Sequence, residues 1–306
     1  MSATTDVRRL GYYIPKLGGS VDFVVHQAAS ADVLTECHEM CSVISDLQPI
    51  IFAFDIVERN FRELVDSIED HRSQLNNLVT ANTGLISVDM SGFVLVAQRV
   101  SNFLSSAGAF LTQTKIQLES VHGKKSPELA MWNTKRNDMH AACFSYRFLY
   151  ELRNFSQHRS LPLSSLNIAG ERASENAPML FKTRALILRD GLFGVGYDWN
   201  KSVEAEVRKQ PPEFELQPLI AEYLHILGQL CLEAVQFQSV RLAMCARYFD
   251  AVRRTLKIPM GAVPVIFIGK SSSKKIPPSR FEVIPIEQLK YLLREYDKLL
   301  NAFYTV

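Results

Sequence analysis

Apolar residues recur every three or four positions along most of this 306-residue sequence. That spacing lines up one face of an α-helix and so constrains the chain more than any other feature does. Between Gly92 and His122 the repeat runs through Phe93, Val96, Val100, Phe103, Leu104, Ala107, Phe110, Leu111 and Leu118, which predicts a long helix with a core face; residues 80–89 read as a turn or short strand before it, and a loop over 122–127 separates it from a helix that runs through Trp132 on into the 144–158 stretch. Ser30 and Asp32 are capping residues ahead of Val33, Leu34, Cys37, Met40, Cys41 and Ile44 at the same spacing. Pro49 reads as the start of a separate helix that runs to about Leu78, with Phe52, Ile56, Phe61, Leu64, Ile68 and Leu75 on its apolar side. From Leu216 to Leu256 the spacing predicts one very long helix bent near Gly228, either the centre of a bundle or a dimer seam.

Strand signals fill the gaps. Leu10–Pro15 and Val21–Gln27 flank Gly18 and Gly19, the pattern of a hairpin. Segments 164–169 and 180–188 read as strands, and so do 262–268 and 281–284 around a basic loop with Lys270, Lys274 and Lys275. The expectation is a mainly α (α+β) chain. It is a helical bundle over about 31–160 and 215–256, with small β additions over about 8–28, 163–190 and 262–285, taken as a single domain over 1–306.

The stretch Phe144–Pro162 carries the chemistry. Phe144, Phe148, Leu152 and Phe155 form an apolar stripe, and Arg147, Tyr150, Asn154 and His158 recur on another face. At ~100° per residue, Arg153 lies roughly 140° from the centre of that stripe on one flank, and Asn154 and His158 on the other. All three read as pointing away from the core. Pro162 cannot continue the helix, which places His158 in its last turn or just beyond it, where the helix C-terminus favours imidazolium while Arg153 and Arg159 oppose it. A histidine balanced in this way suits acid–base work near neutral pH.

The string Arg153-Asn154-Phe155-Ser156-Gln157-His158 resembles the Arg-polar-x-x-x-His signature of HEPN-superfamily ribonucleases, and the following Arg-Ser-Leu-Pro-Leu is similar to bacterial HEPN-like proteins. The resemblance covers roughly residues 90–165. It implies a HEPN-type helical bundle that acts as a metal-independent endoribonuclease, in which a ribose 2′-hydroxyl attacks the adjacent phosphate. His158 would be the general acid or base, Arg153 would stabilise the transition-state charge, and Asn154 would bind phosphate or orient His158. RNA contacts are expected from Arg147, Tyr150, Arg159, Lys124 and Lys125, with no metal and no cofactor. The implied products are a 2′,3′-cyclic phosphate and a 5′-hydroxyl. Toxin and antiviral-defence roles follow in the same family, with an antitoxin or regulatory protein as a further partner. The alternative is a HEPN-like dimerisation or nucleotide-binding module without cleavage.

One helix cannot close a pocket around a phosphate, so the active unit is expected to be a homodimer whose paired helix ends each supply Arg153, Asn154 and His158. Tyr146 and Tyr150 are read as exposed interface aromatics. A net charge of +2, from 34 basic and 32 acidic residues, exerts no global pull on nucleic acid, so an RNA site has to be built locally. Five cysteines make no disulfide framework, and Cys37 and Cys41 read as core rather than metal ligands. A reducing cytoplasm is expected. No apolar stretch free of charges reads as reaching the ~20 residues that cross a bilayer.

Overall fold

A computed structural model describes residues 7–80, 90–172, 180–194, 196–269 and 280–304. The expected basic loop at Lys270–Lys275 and all but the first residue of the expected turn over 80–89 lie outside them. The chain is mainly helical with two small antiparallel sheets. Its residues group into two compact units. One comprises Met1–Pro49 with Val235–Val306, and the other Ile50–Ala234.

In the first unit β1 (Val7–Pro15) and β2 (Val21–Ala28) form the expected hairpin, with Gly18 and Gly19 in the left-handed region at its turn. β1 also pairs with the C-terminal strand β6 (Val263–Gly269), which pairs with β7 (Arg280–Val283), in the order β2-β1-β6-β7. The two terminal additions are therefore one sheet. A Cβ at Gly11 would lie 2.6 Å from the Phe267 ring, so glycine lets that ring cross the first strand.

The helices depart from expectation in three places. α1 (Ala31–Thr80) continues through Pro49 as one helix of 50 residues. Leu47, Ile50 and Ile51 are buried on both sides of the proline, and that burial outweighs its missing N–H. Second, the pattern from 216 to 256 breaks into α6 (Leu216–Gln236) and α7 (Ser239–Thr255) at Gln238, not at Gly228, which is buried in mid-helix. Third, the helix expected through Trp132 into the 144–158 stretch divides at Cys143. Its extended backbone (φ −113°, ψ 122°) separates α3 (Pro127–Ala142) from α4 (Phe144–His158).

Ala31–Gln74 contains an 18-residue window of mean hydropathy 1.6, long and apolar enough by composition to cross a membrane, and 44% of that window is buried.

The second unit holds the candidate site. α2 (Met90–His122) buries Val96, Val100, Phe103, Leu104, Ala107, Phe110, Leu111 and Leu118, all but Phe93 of its expected core face. α3 starts at a Ser126 cap whose Oγ accepts from the Leu129 N–H at 3.2 Å, with Pro127 in the first turn. Trp132 is fully buried and donates from Nε1 to the Leu230 carbonyl of α6 at 3.1 Å. β3 (Ser165–Glu171), β4 (Leu180–Leu188) and β5 (Glu213–Glu215) form the second sheet, and α5 (Lys201–Val207) lies between β4 and β5 in sequence.

Candidate functional site

α4 is buried on two sides. Phe148, Leu152 and Phe155 of the expected stripe are buried and Phe144 is half-buried, and Trp199 stacks against both Phe148 (6.2 Å between ring centroids) and Phe155 (5.3 Å). A second line runs from buried Tyr146 and Leu149 to half-buried Arg153, at spacings of three and four. Tyr146 is only 2% exposed, which corrects the reading of it as an exposed interface residue. Its ring packs 5.0 Å from Tyr223 and 5.1 Å from His140. Tyr150, one turn further on, is 40% exposed.

The second line decides where Arg153 goes. Its side chain is half-buried and lies across α2 at Gly108, where an added Cβ would stand 2.6 Å from Arg153 Nε and 2.9 Å from Cζ. Only glycine leaves that lane open. Arg153 Nε is buried without a hydrogen-bond partner among the described residues. An unpartnered buried guanidinium nitrogen is costly. Arg153, read as pointing away from the core, points into a recess between α2, α3 and α4.

The break at Cys143 shapes that recess by turning the end of α3 back over the start of α4. His140 then sits edge-on to Tyr146 and Tyr150, whose ring centroids are 5.1 and 6.2 Å away. Arg147 holds the corner. It donates from Nη1 to the His140 carbonyl at 2.7 Å and also to the Ala141 carbonyl, both at the open end of α3. Its other nitrogens reach Glu206 of α5 at 3.0 and 2.6 Å. The guanidinium expected to touch RNA is thus engaged in building the fold.

The recess has a volume of about 430 Å3, within the usual range of ligand pockets. Lys115, Arg136 and Arg153 line it together with His140, Asn137 and Tyr150, and its lining includes no carboxylate. Lys115 has Glu119 at 3.7 Å one turn along α2, and Arg136 lies 5.4 Å over the Trp132 ring. Burial draws the His140 imidazole below the ordinary histidine range. Arg147 and Arg136 act in the same direction and Glu151 against it. His140 is therefore neutral at neutral pH, able to accept a proton or a hydrogen bond.

The other expected residues lie elsewhere. His158 is exposed in the last turn of α4, roughly 140° round the helix from Arg153, and the two do not meet within one chain. Asn154 reaches the Tyr197 hydroxyl, which donates to Glu151 Oε2 at 2.9 Å. Burial and Glu151 push the Tyr197 hydroxyl up to about 12. Arg159 is exposed beyond the helix end, and Lys124 and Lys125 are exposed in the turn between α2 and α3.

Reasoning from sequence missed Lys115, Arg136 and His140. Their one shared signal was Gly108, a glycine inside a strong helical pattern, which marks a close approach when the helix tolerates it. Among the described residues no group of three or more His, Cys, Asp or Glu is placed to hold a metal ion. Cys37 is buried and Cys41 half-buried, both with free thiols. In comparisons with known proteins, no family model, no curated protein and no solved structure matches the chain.

Proposed function

We propose that the chain is a metal-independent endoribonuclease in which Arg153 binds the scissile phosphate and His158 transfers a proton. The observation that carries this reading is the recess at Arg153. It gathers three cationic side chains with no carboxylate among its lining residues, and the central arginine has a buried nitrogen without a partner. Such a set favours a polyanion, and cations preorganised around a phosphate stabilise the extra charge of its pentacoordinate transition state. The Arg153–His158 spacing adds the resemblance to HEPN ribonucleases.

Because His158 points away from Arg153 in one chain, the reading requires a second copy. In a two-fold dimer His158 of one copy meets the recess of the other, and each site draws on both chains. The biological role that follows is that of an RNA-cleaving toxin or antiviral effector.

A second reading is favoured by the same separation. If no second copy brings His158 to the recess, the site binds a phosphate-bearing ligand without cutting it, as a nucleotide-binding module would. Incubation of the purified protein with mixed RNA in excess chelator separates the two. Cleavage that is lost in both Arg153→Ala and His158→Ala, with cooperative melting kept, supports the ribonuclease. Binding without cleavage by the wild type supports the module.

A further inference from the structure

Cutting RNA by attack of the 2′-hydroxyl needs two proton transfers: a base takes the proton from the attacking oxygen, and an acid gives one to the departing oxygen. The Arg-x4-His motif contains one histidine. A second lies in the recess itself, on a different helix and outside the motif. His140 lines the same cavity as Arg153, Lys115 and Arg136, and its ring makes no hydrogen bond among the described residues. It is held in place by its edge-on contacts with Tyr146 and Tyr150, and by Arg147, which grips its main-chain carbonyl at 2.7 Å.

We propose that His140 is the general base of the reaction and that Lys115 and Arg136 complete the phosphate cradle around Arg153; this rests on the ribonuclease reading above. The step balances without a further reactant. His140 removes the proton of the 2′-hydroxyl as that oxygen bonds to phosphorus. The bond from phosphorus to the 5′-oxygen breaks, and His158 of a second copy donates a proton to the departing oxygen. The products are a 2′,3′-cyclic phosphate and a 5′-hydroxyl. The non-bridging oxygens, which gain charge, face Arg153, Lys115 and Arg136.

The surroundings of His140 suit a base. The charged and titratable groups facing it are Lys115 from α2, Arg136 on its own helix, and Tyr146, Arg147, Tyr150, Glu151 and Arg153 from α4. Cations outnumber the one carboxylate, and burial acts with them, so the imidazole stays neutral where an ordinary histidine begins to protonate. A neutral imidazole beside a cationic cradle accepts a proton and does not compete for the phosphate.

The test uses the full chain, an RNA dinucleotide substrate, and the same dinucleotide with a 2′-deoxy sugar at the scissile position, which binds but cannot be cut. His140→Gln is expected to lower kcat by about 10²–10⁴-fold while binding the deoxy probe as the wild type does. It is also expected to lose the rise of kcat/KM with pH that the wild type shows below about pH 6.5. Lys115→Ala, at an exposed position, is expected to weaken binding of the deoxy probe. Wild-type cleavage kept by His140→Gln with an unchanged pH profile overturns the assignment of His140 and leaves the ribonuclease standing. Undiminished probe binding by Lys115→Ala overturns the cradle. Failure of the wild type to cut any RNA overturns the ribonuclease reading, and the role of His140 falls with it.

Discussion

Gly108 is the residue on which the site's geometry turns. Gly108→Ala removes backbone freedom from the unfolded chain and favours the helix by up to about 1 kcal/mol, so the protein is expected to stay folded. The new Cβ would occupy the space of Arg153 Nε, however, and the flexible guanidinium would swing out of the recess. Displacement by about 1 Å costs on the order of 10²-fold in rate, and a steady-state RNA cleavage assay beside a thermal melt reads both effects. An active Gly108→Ala protein would show that Arg153 need not lie where it does. Arg147 makes the opposite case, a residue expected to matter for stability first. Arg147→Ala uncaps the end of α3 and leaves Glu206 without its cation, with an expected loss of about 2–3 kcal/mol in denaturant melts. A loss below about 0.5 kcal/mol would mean that the corner is held by other contacts.

At the scale of elements, the strands were the easiest to read. β4 occupies 180–188 as expected, with apolar Leu180, Phe181 and Ala185–Leu188 on either side of Lys182, Thr183 and Arg184. The terminal sheet was half legible: hairpin partners are local in sequence, whereas the pairing of β1 with β6 joins opposite ends of the chain. The α3–α4 junction was not legible, since the apolar spacing continues across Cys143 and only the extended backbone there interrupts it. The direction of Arg153 escaped for a related reason. The obvious stripe of α4 is aliphatic and aromatic, and its second line consists of a tyrosine, a leucine and an arginine, which periodicity counts as mixed. Two predictions belong at this scale. Ser126→Ala removes the α3 cap and is expected to cost about 1 kcal/mol, read as a shift in the denaturation midpoint with unchanged slope. His140 adds a pH dependence. Its folded pKa lies below the unfolded value, so the unfolded chain binds the proton first and stability falls as pH drops below about 6.5 towards the folded pKa. Thermal melts of wild type and His140→Gln between about pH 5 and 7.5 are expected to diverge on the acid side, with the variant losing less. Parallel curves would contradict the burial of that imidazole.

For the whole molecule, the central claim is that cleavage arises at the Arg153 recess without a metal and that two copies complete it. Mixing Arg153→Ala and His158→Ala proteins, each inactive alone, is expected to restore up to about one intact site per mixed dimer. Light scattering that shows only a 34.6 kDa species with full activity would rule out the shared site. The most direct measurement is the fate of a defined RNA incubated with the wild type in excess chelator, with the product ends analysed by mass. The account predicts cleavage to 2′,3′-cyclic phosphate and 5′-hydroxyl ends, abolished by Arg153→Ala. Intact RNA, or cleavage that stops with chelator and returns with a divalent ion, would contradict it.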